Sequence, residues 1–131
     1  INEQIVQIAN DYKNSGIKLI AISSNDIINY PEDSPVEMKK IAIKEKFIFP
    51  YLFDETQIVA KSYDAACTPD FFIFNNSKKL VYRGQLDDSR PGNNIDVTGI
   101  DIRNALDSLI NLKKVNPVQK PSIGCNIKWK N

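Results

Sequence analysis

The sequence predicts an α/β fold in which helices flank a mixed sheet and an extended tail follows at the C-terminal end. Three strand patterns carry this prediction. Ile17–Ser23 is a near-continuous apolar run, which is typical of a strand buried on both faces of a parallel sheet. Phe71–Phe74 is an aromatic and β-branched strand, and Leu80–Gly84 returns after the polar turn Asn75–Ser77 as its antiparallel neighbour. The chain therefore changes from parallel crossovers to a hairpin.

The helices are predicted from apolar spacing and from capping residues. Apolar residues from Ile1 to Tyr12 recur every three or four positions, so a helix ends near Gly16. Ser34 is the expected cap of a second helix that runs to about Lys46, with Pro35 and Glu37 in its first turn and Met38, Ile41 and Ala42 facing inward. A short strand over Phe49–Phe53 follows, and Asp54 is expected to cap a helix through Tyr63, with Gln57 three residues on.

The last helix is the clearest of the chain. Thr98 is its expected cap, and its inward face repeats with a three-four period through Ile102, Ala105, Leu106, Leu109 and Ile110. The periodicity stops beyond Lys114, because Pro117 and Pro121 interrupt any further helix. We therefore divide the chain into an α/β domain over residues 1–114 and an extended tail over residues 115–131, which carries the only tryptophan.

Composition excludes several classes of function. The 131 residues contain no histidine, so histidine bases, histidine metal sites and Ser-His-Asp hydrolysis are absent. No Gly-rich phosphate loop or Cys-x-x-Cys zinc pair occurs, and we predict no cofactor and no metal. The net charge of +1 gives no footprint for nucleic acid. No apolar run approaches the roughly 20 residues that span a bilayer, so no membrane partner is expected.

The Thr68-Pro69 dipeptide is the most informative part of the sequence. Thr68-Pro69 directly before an apolar strand, with Tyr82-Arg83-Gly84 closing the next one, resembles the cis-proline corner of the thioredoxin-like superfamily. Further stretches are similar to its peroxiredoxin-like branch, the alkyl hydroperoxide reductase and thiol-specific antioxidant or redoxin group. These stretches are Phe49–Asp54, Ile58–Tyr63, Asp87–Gly92 and Pro121–Lys130.

The resemblance implies that the reactive cysteine lies outside these residues. Such proteins usually carry a Cys-x-x-Cys motif at the N-terminus of a helix that follows a central strand, where the helix dipole stabilises the thiolate. In this sequence the position falls just before Ile1, so we expect the domain to be N-terminally incomplete and to lack one strand between Ile17–Ser23 and Phe71–Phe74. Peroxiredoxins also carry an arginine near the start of the later strand. Thr68-Pro69-Asp70 stands there instead, which favours a disulfide oxidoreductase over a peroxidase.

Four residues are the predicted site. The resemblance implies that Thr68 and Pro69 bind the substrate backbone; an ordinary proline at the start of a strand is the alternative. Cys67 is a thiol that exchanges disulfides beside this corner, or else a small buried apolar residue. Cys125 is a mobile resolving cysteine, or else a tail thiol held by the packing of Ile123, Ile127 and Trp129.

Four charged residues near the corner have simpler structural interpretations. Asp70 is expected to be solvated at the end of its strand. Asp87, Asp88 and Arg90 form either a turn, which their composition favours, or a charged rim near the site.

The resemblance implies a thiol-disulfide oxidoreductase or antioxidant protein whose nucleophilic cysteine lies upstream of residue 1. A non-catalytic redoxin scaffold that binds peptides, or a structural module, is the alternative. The resemblance implies a disulfide-containing protein or a peroxide as substrate and a thiol as reductant. The expected location is the cytoplasm, since two cysteines are too few for a disulfide scaffold.

Overall fold

The computed structural model describes residues 1–131 and contains four α-helices and six short strands. A single 3-10 turn over Pro31–Asp33 precedes the second helix. The helices are α1 Asn2–Tyr12, α2 Pro35–Lys44, α3 Ile58–Ser62 and α4 Ile100–Ile110. The strands are β1 Ala21–Ser23, β2 Tyr51–Phe53, β3 Cys67–Thr68, β4 Phe71–Phe74, β5 Leu80–Gly84 and β6 Cys125–Asn126. None of the helices is long and apolar enough to cross a membrane.

The strands form three separate two-stranded ladders. β1 pairs with β2 in parallel, with Ile22 opposite Leu52. β4 and β5 form the predicted antiparallel hairpin, with Phe72 opposite Arg83. β3 pairs with β6 in the tail, also antiparallel. The α/β class and the mixture of parallel and antiparallel pairing are confirmed, but no hydrogen-bonded ladder joins β1 to β4 within residues 1–131.

The core lies between α1, β5, α4 and the start of the tail. Its fully buried members are Ile8, Tyr12, Tyr82, Leu86, Ile102, Ala105, Leu106 and Val115. The hydroxyl of Tyr12 donates a hydrogen bond to Asp107 Oδ1 at 2.6 Å, which joins α1 to α4. Burial and the neighbouring Asp107 carboxylate raise the pKa of Tyr12 to about 12. The two helices are therefore joined by a polar contact as well as by apolar packing.

The first strand is shorter and more exposed than predicted. Only Ala21–Ser23 of the expected Ile17–Ser23 pairs with a neighbour, and the side chains of Ile20 and Ile22 are 58% and 44% exposed. The prediction of burial on both faces was wrong for these residues, because β1 packs closely only against β2 and no helix covers its faces closely. Likewise β2 begins at Tyr51, not Phe49, since its ladder with β1 has only three residue pairs.

The second helix begins as predicted and differs beyond its first turn. Ser34 Oγ accepts the backbone N–H of Glu37 at 3.5 Å, but the Glu37 carboxylate binds Lys40 and does not reach back to the cap. The helix ends at Lys44, and Ile41 is exposed where an inward position was predicted. Met38 is its only buried residue, so this helix covers little of the core.

Two further helix starts were predicted wrongly. Helix α3 begins at Ile58, because Gln57 adopts a left-handed conformation with φ 65° and breaks the run from Asp54. Asp54 accepts the N–H groups of Val59 and Ala60 from outside the helix. Helix α4 begins after Gly99, whose φ is 69°, one residue later than a cap at Thr98 predicts. Thr98 Oγ1 accepts the N–H of Ile100 at 3.3 Å, and Asp87, 12 residues before Gly99, accepts the N–H of Gly99.

Candidate functional site

The Thr68–Pro69 corner lies between β3 and β4, and the peptide bond that joins its two residues is cis. Thr68 is exposed and Cys67 is buried. The thiol of Cys67 donates a weak hydrogen bond to the carbonyl oxygen of Pro69, with a sulfur-oxygen distance of 3.9 Å. The corner thus presents the backbone and hydroxyl of Thr68 on the surface and holds the neighbouring thiol underneath.

The C-terminal tail covers this corner. In the antiparallel ladder of β3 and β6, Thr68 is opposite Cys125 and Cys67 is opposite Asn126. Thr68 Oγ1 also donates a hydrogen bond to the carbonyl oxygen of Cys125 at 3.4 Å. Gly124 lies so close that an added Cβ would collide with the carbonyl oxygen of Thr68. The structure therefore brings Thr68, Pro69 and Cys125 together over a distance of more than 50 residues in the chain.

The Cys67 thiol is poorly suited to act as a nucleophile in this environment. Burial raises its pKa, and the Asp70 carboxylate raises it further, against the weaker opposing influence of Arg83 and Arg90. A thiol whose pKa lies above its ordinary value is protonated at neutral pH. The contacts of Cys67 thus agree with a small buried residue ahead of a core strand.

Cys125 differs from Cys67 in its exposure to solvent. Its residue is exposed, and it forms no disulfide with Cys67. In the β3–β6 ladder, Cys125 lies opposite Thr68. Cys67 is the residue directly before Thr68 on β3. Because side chains alternate between the faces of a ladder, Cys125 shares a face with Thr68 and not with Cys67.

An ion pair at the corner was not found by sequence reasoning. Asp70, predicted to be solvated, has a side chain only 6% exposed, accepts the N–H of Ala66 and pairs with Arg83 at 3.4 Å. The guanidinium of Arg83 also lies 5.1 Å from the ring of Phe72, its ladder partner. The hairpin register was the available signal, since it places Arg83 beside the start of β4. An arginine is thus present at the corner, although none precedes Pro69 in the sequence.

The Asp87 loop forms the turn that its composition favoured. Asp87 is buried and its carboxylate accepts the N–H groups of Ser89, Thr98 and Gly99. Burial acts to raise the pKa of Asp87, but these hydrogen bonds outweigh it and hold the pKa below its ordinary value. Arg90 donates to the carbonyl oxygens of Asp87 and Ser89, so this charged side chain binds partners within the loop itself.

Gln57 fixes the far end of the tail. This residue is 1% exposed, and its side-chain amide donates to the carbonyl oxygens of Ser24 at 2.7 Å and Lys128 at 2.9 Å. Its Oε1 accepts the N–H of Lys130 at 3.0 Å. Sequence reasoning assigned Gln57 to a helix cap, because nothing local indicates a partner 71 residues further along the chain. No cluster of three or more His, Cys, Asp or Glu residues is close enough to hold a metal ion.

This fold and corner define a thioredoxin-like α/β protein. The sequence matches the AhpC/TSA family over residues 2–83. The chain belongs to the AhpC/TSA family. No curated protein sequence matches it.

Two solved structures are similar over almost the whole chain. One is an uncharacterized conserved protein from Geobacillus kaustophilus, 60% identical, with a TM-score of 0.97 over 98% of this chain and 68% of its own. The other is a hypothetical protein from Sinorhizobium meliloti 1021, 48% identical, with a TM-score of 0.98 over 99% of this chain and 71% of its own. The tail and the Thr68 corner lie within the matched region in both, since nearly all of this chain is covered.

Proposed function

We propose that the chain is part of a thiol-disulfide oxidoreductase, an antioxidant protein of the thioredoxin and peroxiredoxin type, whose nucleophilic cysteine lies upstream of residue 1. Membership of the AhpC/TSA family supports the redox class. The observation that carries the finer proposal is the antiparallel pairing of Thr68 with Cys125. The backbone edge of Thr68 holds an extended segment with a thiol beside it, which is the geometry that a cysteine-containing substrate requires.

Each predicted site residue has a role in this proposal. Thr68 and Pro69 bind the backbone of the substrate at the corner. Cys125, exposed and on the face of Thr68, is the resolving thiol. Cys67 was predicted to exchange disulfides or to be structural; its burial and raised pKa support the structural role.

The exchange proceeds by two thiolate attacks. The upstream thiolate attacks one sulfur of a substrate disulfide, forms a mixed disulfide and releases the other substrate sulfur as a thiolate. The Cys125 thiolate then attacks the enzyme sulfur of the mixed disulfide and releases the second substrate thiolate, which takes up a proton from water. The substrate gains two electrons and the enzyme becomes a disulfide. A thiol reductant afterwards returns both enzyme cysteines to thiols and becomes a disulfide itself.

The proposed partners are a disulfide-containing protein or a peroxide as substrate and a thiol as reductant. A cytoplasmic location is part of the proposal, in keeping with two cysteines that are too few for a disulfide scaffold. A peptide-binding scaffold without catalysis is the second candidate, and the pairing of β3 with a strand from elsewhere in the chain favours it.

The test uses a protein extended upstream of residue 1, where the nucleophilic cysteine is proposed. Reduction of insulin disulfides and of hydrogen peroxide is followed with dithiothreitol as the reductant. We expect turnover of insulin, a loss of at least about tenfold in Cys125→Ser and little change in the buried-thiol control Cys67→Ser. Absence of any turnover in the extended protein contradicts the enzyme and leaves the binding scaffold. Faster turnover of peroxide than of insulin contradicts the preference for disulfides.

A further inference from the structure

The contact between the tail and the corner is small. Two residue pairs form the β3–β6 ladder, and neither strand pairs with any other. Residues 123–126 of the tail are exposed throughout. A two-residue ladder on the surface is weak by itself, because strands in folded proteins are usually three or more residues long. The tail must therefore be held at this edge by contacts on either side of the ladder.

Two sets of contacts provide this. On the near side, Ser122 Oγ donates to the carbonyl oxygen of Gly84, and Gln85 donates its N–H to the carbonyl oxygen of Lys120 at 3.0 Å. On the far side, Ile127 is buried and the N–H of Lys128 donates to Asn25 Oδ1 at 2.9 Å. The carbonyl oxygen of Lys128 accepts from Gln57 at 2.9 Å and from the N–H of Asp26 at 2.8 Å. Ile127 lies outside the main core cluster, so the far contact is separate from the packing that joins α1, β5 and α4.

Gly124 shows that the exposed segment fits the edge closely. A Cβ at this position would collide with the carbonyl oxygen of Thr68 and come within 3.1 Å of its carbonyl carbon. Backbone therefore touches backbone here, and only glycine allows that approach without a shift of one chain. The glycine directly before Cys125 thus lets the tail backbone lie against the backbone of Thr68.

We propose that the tail is an internal strand ligand that blocks the Thr68 edge against an extended polypeptide until the contact at Ile127 opens. This rests on the proposed function, in which the same edge receives the substrate. The partner is an extended segment of a protein, with glycine directly before the residue that lies opposite Thr68. A free strand edge accepts such a segment through backbone hydrogen bonds, and the close approach at Gly124 selects the glycine.

The test measures binding of a peptide to the full chain. The probe is fluorescein-labelled KPSIGSNIKWK, which copies residues 120–130 with serine in place of cysteine, and its matched control has valine in place of glycine. Ile127→Asp places a charge in the buried far contact. Val118→Asp adds the same charge to the tail at a residue that is 82% exposed. Fluorescence of the only tryptophan, Trp129, reports whether the tail is released.

We expect Ile127→Asp to bind the glycine peptide at least about tenfold more tightly than the wild type or Val118→Asp, because the wild-type edge is occupied. The valine peptide is expected to bind none of the three. Equal binding by Ile127→Asp and Val118→Asp, with Trp129 released in the former, overturns the proposal. Equal binding of the two peptides overturns the selection of glycine.

A second variant acts at the contact itself. Gly124→Val is expected to speed hydrogen exchange at residues 123–126, whereas Ile123→Ala, a change at a residue 68% exposed, leaves it unchanged. If neither Gly124→Val nor Ile127→Asp loosens the tail, the tail is a fixed part of the domain and the proposal is overturned. Peptide binding needs no reactive thiol. A protein that binds the peptide but reduces no disulfide therefore contradicts the proposed function and supports the internal ligand.

Discussion

Gln57 and Lys128 are joined by a hydrogen bond of 2.9 Å between the side-chain amide of the first and the carbonyl oxygen of the second. Gln57 is the most deeply buried polar residue of the chain, at 1% exposure. Three backbone groups depend on its amide, in Ser24, Lys128 and Lys130. A single side chain thus joins the end of the tail to the loop that follows β1.

Replacement of Gln57 by leucine is expected to lower the free energy of unfolding by about 2–3 kcal/mol, because buried backbone groups lose their hydrogen-bond partners. Trp129 emission should shift to longer wavelength as the tail loosens. Urea unfolding followed by circular dichroism gives the stability. Gln7→Leu, on the exposed face of α1, is the control. A Gln57→Leu protein as stable as Gln7→Leu contradicts the role of this amide.

The two thiols should differ in their rate of alkylation. Cys125 is exposed, whereas Cys67 is buried and its pKa is raised, so Cys67 has less thiolate at any given pH. We expect Cys67→Ser to react with iodoacetamide at pH 8 at least about tenfold faster than Cys125→Ser. The rate in Cys125→Ser should still be rising with pH at pH 9, because the pKa of Cys67 is raised above 9.0. Mass spectrometry of timed samples measures both rates, and similar rates contradict the environment described for Cys67.

Asp87 should make the free energy of unfolding depend on pH in the acid range. Its pKa is lowered below 3.8 by hydrogen bonds to the carboxylate, so its contribution is complete above that pH and is lost as the pH falls through the lower folded value. Asp87→Asn is expected to cost about 1–3 kcal/mol at pH 7, since hydrogen bonds to a charged group weaken. The deficit should shrink toward pH 3. Thermal unfolding from pH 7 to pH 3 measures it; Asp96→Asn, an exposed control, should show no such trend.

Tyr12 should make the free energy of unfolding depend on pH in the alkaline range. Because its pKa rises from 10.0 to about 12, the folded state is favoured fully below pH 10 and loses this contribution between pH 10 and 12. Tyr12→Phe removes the hydrogen bond to Asp107 and is expected to cost about 1 kcal/mol at pH 7. Urea unfolding at pH 7 and pH 11 tests this. Tyr63→Phe keeps the ring contacts with Phe72 and Phe74 and serves as the control.

Local patterns predicted the elements that depend on neighbouring residues. The hairpin of Phe71–Phe74 and Leu80–Gly84 has the predicted bounds, because its turn and its alternation lie within a few residues. The four helices were also found, since apolar spacing marks α1 and α4 and capping residues mark α2 and α3. Their starts were less predictable where a distant group competes. Asp87 accepts the N–H groups of Thr98 and Gly99 from 11 and 12 residues away, and helix α4 begins one residue later than a cap at Thr98 predicts.

The site could be predicted only in part for the same reason. The Thr-Pro step located the corner, but nothing in the sequence pairs Thr68 with Cys125, 57 residues later. Gln57, Ile127 and Gly124 all contact the rest of the domain from or beside the tail, and none of these residues carries a local signal for the pairing. The extent of β1 also depended on its neighbours: Ile17–Ile20 has the composition of a strand but no ladder partner.

The β1–β2 and β4–β5 ladders are separate, and this affects how copies of the polypeptide associate. β1 and β4 each leave one side without a strand partner, and the exposed side chains of Ile20 and Ile22 lie at the first of these edges. Unpaired edges with apolar side chains are templates for intermolecular pairing. Residues 1–131 handled alone should therefore form reversible oligomers as the concentration rises, and light scattering should detect them before any loss of secondary structure.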